Sequence, residues 1–339
     1  MIYDKVFITN LPSFYKINLY NEISKRKKIY VIFTGDDSKS RNADFFKGNI
    51  EFPYFYYKNK NFLYRVIISA YLLYILKYNE LIISGWDSLP LWVFACFSNK
   101  AKNSVVIESS YIESTTEGIR GCLKKFFISR IQNKVYVSGR AQEKLAKLLG
   151  CNATIIKTHG VGLFNIIEQP KYIPREAVKN FIYVGRLVEV KNLDFLIKVF
   201  NKIPNYNLII VGFGDQEQYL KSISNNNIIF KGAVENKKLP RLYQNNDVFI
   251  LPSKSEVWGL VVEEALNNGL PVIVSNRVGC AEEIVNNDVG LVFNYNSEDD
   301  LMKKIKTISD IEYYNKLRKN ISEIDFTSIR NAQINSYIC

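Results

Sequence analysis

The chain runs to 339 residues, 47% of them apolar, more than one domain ordinarily holds and enough for two cores of about 150 residues each. Five cysteines, at positions 96, 122, 151, 280 and 339, form an odd set without Cys-x-x-Cys spacing; with a single histidine, they exclude a disulfide scaffold, a structural zinc site and His-cluster chemistry. The net charge of +12 is lopsided: residues 1–165 carry 24 Lys and Arg against 12 Asp and Glu, whereas residues 166–339 carry 21 of each.

The start, Met-Ile-Tyr-Asp-Lys, lacks a signal-peptide pattern and predicts a protein kept in the cytoplasm. Lys5–Thr9 predicts the first strand, followed by the loop Asn10-Leu-Pro-Ser-Phe-Tyr-Lys16 and a helix to about Ser24. Lys28–Phe33, Glu80–Ser84 and Asn103–Ile107 are further apolar runs, with helical stretches at 61–78 and 89–98. Phe62–Leu76 is strongly apolar, yet it contains Arg65 and falls short of the ~20 residues needed to cross a bilayer. Asn133–Val137, a helix over Gly139–Leu149 and Thr154–Lys157 complete the first half.

A linker at 160–178, with Pro170 and Pro174, precedes a second cycle. Its strands are Phe181–Val184, Tyr206–Val211, Ile228–Phe230, Asp247–Leu251 and Pro271–Val274, separated by helices at 192–201, 216–223, 236–244 and 259–268. Short apolar runs alternating with helical segments predict an α/β fold with parallel sheets covered on both faces. The expected domains are 1–165 and 166–325, with a C-terminal segment, 326–339, free to cross back to the first. Ligands of such sheets bind beyond the carboxyl ends of the strands.

Three loops of the second half carry chemistry. Val184-Gly-Arg-Leu-Val-Glu-Val-Lys191 places Arg186 and Lys191 just after a strand, a fork and a point charge suited to phosphate. Gly212 and Gly214 follow the next strand and allow a ligand close to the backbone; without a third glycine they are no dinucleotide fingerprint. In Leu251–Ala265 a polar loop bearing Glu256 leads through Gly259 into a helix, whose N-terminus offers backbone N–H groups and a positive dipole end. Glu256 can face a polyol and Glu264 a ribose diol, while the helix dipole accounts for Glu263 as a first-turn acid. Glu283, near Gly279, reads equally as a polar contact or a surface residue.

Taken in order, these strings resemble the donor half of the retaining glycosyltransferases of family 4, which have two Rossmann-like domains facing a cleft (GT-B architecture). The matches are GR-x4-K at 185–191, GFG at 212–214, F-x-G-x-V at 230–234, S-x2-E-x-W-G-L-x3-E-A at 253–265 and N-x-G-x-P-V at 267–272. The resemblance implies that Arg186 and Lys191 bind the donor diphosphate, Glu256 holds the transferred sugar and Glu264 the ribose. It also implies that the backbone at Trp258, Gly259, Leu260 and Val261 touches sugar and phosphate, and that Phe230, Gly232 and Val234 line the base. Many relatives place a histidine in the first domain beside the sugar; the corresponding region offers Glu108 instead, and His159 does not match that role.

The implied co-substrate is a nucleotide sugar, a UDP-sugar by preference, with no metal and no tightly bound cofactor. The implied acceptor is a polyprenyl-diphosphate-linked saccharide. Lys25-Arg-Lys-Lys28, Lys58, Lys60, Lys124 and Lys125, interleaved with aromatics at 52–57, suit an anionic membrane surface and predict peripheral association with the cytoplasmic face of the inner membrane. AT-rich codon usage explains the same Lys, Asn, Ile and Tyr content. A soluble acceptor, a nucleotide-sugar 2-epimerase and a non-catalytic nucleic-acid binder are the alternatives; no nucleic-acid module is present, so nucleic acid is not an expected partner.

Overall fold

The computed structural model describes residues 2–35, 43–46, 48–57 and 61–338. Most of the chain up to Phe164, with residues from Ser328 onward, forms one compact unit, and Asn165–Thr327 forms most of a second. Each unit is built on a parallel sheet with helices on its faces, so the α/β, doubly Rossmann-like fold class is as expected.

In the first unit, β1 (Ile2–Thr9), β2 (Ile29–Phe33), β3 (Tyr54–Tyr56), β4 (Lys77–Ser84), β5 (Asn103–Ile107), β6 (Lys134–Val137) and β7 (Thr154–Lys157) pair in the order β3-β2-β1-β4-β5-β6-β7. The helices after these strands are α1 (Phe14–Ser24), α2 (Phe62–Ile75), α3 (Leu89–Phe97), α4 (Gly118–Ser129) and α5 (Arg140–Leu148). Alternation along β1 splits the core by face. Val6 and Ile8 join Leu72 of α2, Phe94 of α3, Phe127 of α4 and Leu145 of α5, whereas Phe7 joins Leu19 and Ile23 of α1.

The second unit has β8 (Asn180–Val184), β9 (Asn207–Val211), β10 (Ile228–Gly232), β11 (Val248–Leu251), β12 (Val272–Ser275) and β13 (Gly290–Phe293), in the order β10-β9-β8-β11-β12-β13. Its helices are α6 (Leu193–Asn201), α7 (Glu217–Ser222), α8 (Leu239–Gln244), α9 (Leu260–Asn267), α10 (Ala281–Ile284), α11 (Glu298–Ile308) and α12 (Ile311–Ser322). The final helix, α13 (Phe326–Ile338), sends Ile334 and Tyr337 into the α1-side core of the first unit. There the Tyr337 ring stacks on Tyr136 at 4.7 Å with an interplanar angle of 14°.

The sequence-based elements differ from the structure where the chain gives no punctuation. The helix expected over 61–78 stops at Ile75, and β4 begins at Lys77. Leu76 is already extended while its N–H still bonds the Leu72 carbonyl at 3.0 Å, so one apolar run serves two elements with no Gly or Pro between them. Strands β3 and β13 and helices α4 and α10 to α13 had no assignment. Helix α4 escapes a pattern reading because its Ile119, Leu123 and Phe126 point outward.

Among the described cysteines Cys96, Cys122, Cys151 and Cys280 are free. Met1, Lys58, Lys60 and Cys339 lie outside the described residues. The packing of α13 makes a stability prediction: Tyr337→Ala should lower the unfolding free energy of the first unit by about 3 kcal/mol, the usual cost of removing a buried aromatic ring, as read from urea titrations.

Candidate functional site

The order of the second sheet reverses between β8 and β11, and the loops leaving their carboxyl ends flank the crevice where such sheets take ligands. Lys191 lies on the first loop and Glu256 on the second, 65 residues apart in sequence, and the Lys191 Nζ donates to Glu256 Oε2 in a part-buried ion pair. Backbone ties set this meeting. The Lys254 N–H bonds the Val190 carbonyl at 2.9 Å, and Asn192, in the left-handed region at φ 58°, donates from Nδ2 to the carbonyls of Pro252 at 3.2 Å and Tyr295 at 3.1 Å. Glu256 is held from the other side, its N–H bonded to the Arg277 carbonyl at 3.1 Å and its carbonyl accepting from the Gly279 N–H at 2.9 Å.

Arg186 shares this neighbourhood. Its carbonyl accepts from the Tyr183 hydroxyl at 2.8 Å. Burial pushes the Tyr183 phenol well up, the Glu256 carboxylate pushes it further and Arg186 pulls it back. Glu256, paired with Lys191, and Arg186 thus both act electrostatically on one buried tyrosine that the sequence did not single out.

The two glycines after β9 face backbone. A Cβ on Gly212, where φ is +136°, would sit 1.8 Å from the Gly185 oxygen, and one on Gly214 would sit 2.2 Å from the Leu187 oxygen. The observed reason for glycine here is thus the close approach of the 185–187 loop, locked by Leu187 N–H to the Phe213 carbonyl at 2.9 Å. Gly232 continues the stack, its carbonyl accepting from the Gly212 N–H at 2.8 Å. Phe230, half-buried on β10, has the Lys221 ammonium 5.7 Å from its ring centroid, and Val234 is half-buried just beyond.

At the head of α9, Gly259 adopts φ 100°, a conformation disfavoured for residues with a Cβ, and leads into Leu260 and Val261. The Trp258 side chain is fully buried, and its indole N–H donates to Glu263 Oε2 at 2.8 Å. The helix dipole is thus only part of the account of Glu263: it is a buried acid whose burial raises its pKa to about 8, only partly offset by the indole. Glu264 is raised to about 7, again by burial first, and accepts from the Tyr243 hydroxyl at 3.4 Å. Tyr243, on α8, is a partner of Glu264 that no motif announced.

In the first unit Glu108 is half-exposed after β5, and its Oε1 lies 2.6 Å from the Nζ of buried Lys16, which also donates to Thr9 Oγ1 at 3.0 Å. Burial disfavours the Lys16 ammonium, but Glu108 outweighs it and holds its pKa above the ordinary lysine value. Sequence reading missed Lys16 because its pairing with Glu108 spans strands β1, β4 and β5. His159 is exposed after β7, at φ 55°. Of the basic run at 25–28, Lys25 pairs with Glu22 at 3.0 Å and Arg26 donates to Asn335 Oδ1 at 2.9 Å. Among the described residues no group of three or more His, Cys, Asp or Glu side chains is placed to hold a metal ion, and no helix is long and apolar enough to cross a membrane.

Residues 166–325 match the family model described as Glycosyl transferases group 1. That match overturns the expectation of family 4: the family supported over this stretch is group 1. An uncharacterized 41.2 kDa protein in the cps region of Klebsiella pneumoniae is 28% identical over 236 residues, covering 69% of this chain and 60% of that protein. The O-antigen biosynthesis glycosyltransferase WbnH of Escherichia coli is 30% identical over 197 residues, 57% of this chain and 56% of the relative. The matches thus span less than two thirds of these relatives' length. HepE of Anabaena, solved in complex with UDP, superposes with a TM-score of 0.73 at 16% identity over 97% of each chain, so the fold is of the GT-B type.

The buried acid generates a pH prediction. Glu263 holds its proton more tightly folded than unfolded, so its contribution to stability is complete below the ordinary glutamate value of 4.5 and is lost as pH rises through about 8. Chemical denaturation of the second unit across this window should show declining stability, and Glu263→Gln should flatten much of the decline; an unchanged slope would contradict the assignment.

Proposed function

We propose that the protein is a retaining glycosyltransferase that moves a sugar from a nucleotide sugar, UDP-linked by preference, to a polyprenyl-diphosphate-linked saccharide during surface-polysaccharide assembly at the cytoplasmic face of the inner membrane. The observation that carries this reading is the convergence of Arg186, Lys191 and Glu256 at the β8/β11 switch point of a sheet whose sequence matches a glycosyltransferase family model. The O-antigen relative and the UDP-bound structural neighbour support the pathway and the nucleotide.

Breaking the bond between sugar and nucleotide leaves negative charge on the diphosphate and oxocarbenium character on the sugar. Lys191 already faces one anion, Glu256, and the donor diphosphate brings a second to the same ammonium; the Arg186 guanidinium supplies a planar fork for the remaining phosphate oxygens. Countercharge held in place where charge develops stabilises the transition state without reorganisation, so these two cations do the work a metal would otherwise do. Glu256, anchored through its own backbone on both sides, holds the sugar hydroxyls. Glu264 takes the ribose diol, with Tyr243 fixing its orientation, and the backbone from Trp258 to Val261 meets sugar and phosphate at the head of α9. Phe230, Gly232 and Val234 flank the base, with Gly212 and Gly214 shaping the floor.

Retention follows in this reading from departure and attack on the same face of the sugar. Glu108, paired with Lys16, takes the place of a first-domain histidine in orienting the reacting sugar. The basic first unit holds the anionic acceptor, and nucleic acid is not a partner.

Lys191→Ala and Glu256→Gln should each slow transfer by at least ~100-fold, equivalent to roughly 3 kcal/mol of transition-state stabilisation. UDP should still protect Glu256→Gln from thermal unfolding and should protect Lys191→Ala poorly. Near-normal rates in both variants, or no thermal response of the unaltered protein to any nucleotide sugar, would remove the basis for the assignment.

A further inference from the structure

Helix α2 is inverted relative to an ordinary surface helix, which hides its apolar stripe and shows its polar one. Its buried residues are Arg65, Ser69 and Leu72. Ser69 is fully buried, its hydroxyl 2.7 Å from the Tyr57 hydroxyl and donating to the Arg65 carbonyl at 2.6 Å. Outward point Phe62, Leu63, Ile67, Tyr71, Tyr74 and Ile75, each between 44% and 81% exposed. Helix α4 repeats the arrangement on a smaller scale, with Ile119, Leu123 and Phe126 exposed at helical spacing.

These two helices belong to one surface. Both pack against α3, whose last residue, Phe97, is 79% exposed, and all three cover the same face of the first sheet. None of the three contains an aspartate or glutamate, while α4 contributes Arg120, Lys124 and Lys125. Each follows a strand of a parallel sheet, so its N-terminus lies toward the carboxyl edge, where the 108–117 loop leads from Glu108 into α4.

We infer that the outer face of α2, α3 and α4 is a bilayer-docking surface for anionic lipid, with the α2 and α4 stripes entering the headgroup layer. This rests on the reading of a lipid-linked acceptor and supplies the contact that would bring the first unit's carboxyl edge to the membrane. Charge selects the occupant: Arg120 and Lys125 stand exposed beside the apolar stripes on helices that carry no acid of their own, the nearest acids being Asp87, Glu113 and Glu117 at the loop end of α4, and apolar side chains bordered by cations suit an anionic bilayer. A second copy of the same face would set Arg120, Lys124 and Lys125 against their own kind.

The test is vesicle co-sedimentation of the full chain. The protein should partition onto phosphatidylglycerol-rich vesicles and far less onto phosphatidylcholine alone. Leu63→Ser with Ile67→Ser, and separately Ile119→Ser with Leu123→Ser, should weaken that partition by roughly tenfold or more, as the removal of buried apolar groups from an interfacial helix requires. An unchanged urea transition of the first unit shows that both variants fold, and thermal protection by UDP, bound in the second unit, should persist in both, which separates this assignment from the glycosyltransferase reading. Equal partition of variants and unaltered protein, or a dimer in solution that the substitutions convert to monomer, would overturn the proposal.

Discussion

The second unit's site depends on how two loops are sewn together at a reversal of strand order. Lys191 and Glu256 can meet only because β8 and β11 are neighbours in the sheet, because Asn192 accepts a left-handed conformation, and because its amide reaches two carbonyls on separate loops. A lysine ammonium and a carboxylate that are partly withdrawn from water each gain from the other's charge. Their pairing sets the Lys191 charge against that of Glu256 where the two loops meet. On the same loops, the Tyr183 hydroxyl donates to the Arg186 carbonyl, and the glycine-lined loop after β9 stacks against the 185–187 backbone.

The chain's two halves solve different problems with one topology. Both sheets reverse order beside their first strand, between β1 and β4 and between β8 and β11. In the second unit the loops at the reversal bring opposite charges to a partly accessible surface. In the first, Lys16 is buried and reaches Glu108 at a rim that water still enters. The excess cations of the first half remain largely on its exterior, where a screened field acts over about a Debye length.

Much of the second unit was legible in its sequence because strand, loop and helix follow one another with turn residues between them, and because Gly185, Arg186, Lys191, Glu256 and Glu264 fall on the loops or helix starts where ligands bind. Pairings across distant segments were not legible. Nothing near residue 191 points to residue 256, and the interactions of Trp258 with Glu263 and of Tyr243 with Glu264 emerge only once helices pack. The first unit was harder for a different reason: α2 and α4 direct apolar residues outward, so the usual link between hydrophobic period and core fails there. Leu76 also let a helix run into a strand without a break, which cost the expected boundary by several residues.

The stacking of Tyr337 on Tyr136 orders events during synthesis. The α1-side core of the first unit takes its last layer from α13, a layer made only after the whole of Asn165–Thr327. The second unit, continuous over that stretch, can fold as soon as it leaves the ribosome. Phe7, Tyr20 and Tyr136 therefore gain their final packing partners from the last-made helix of the chain.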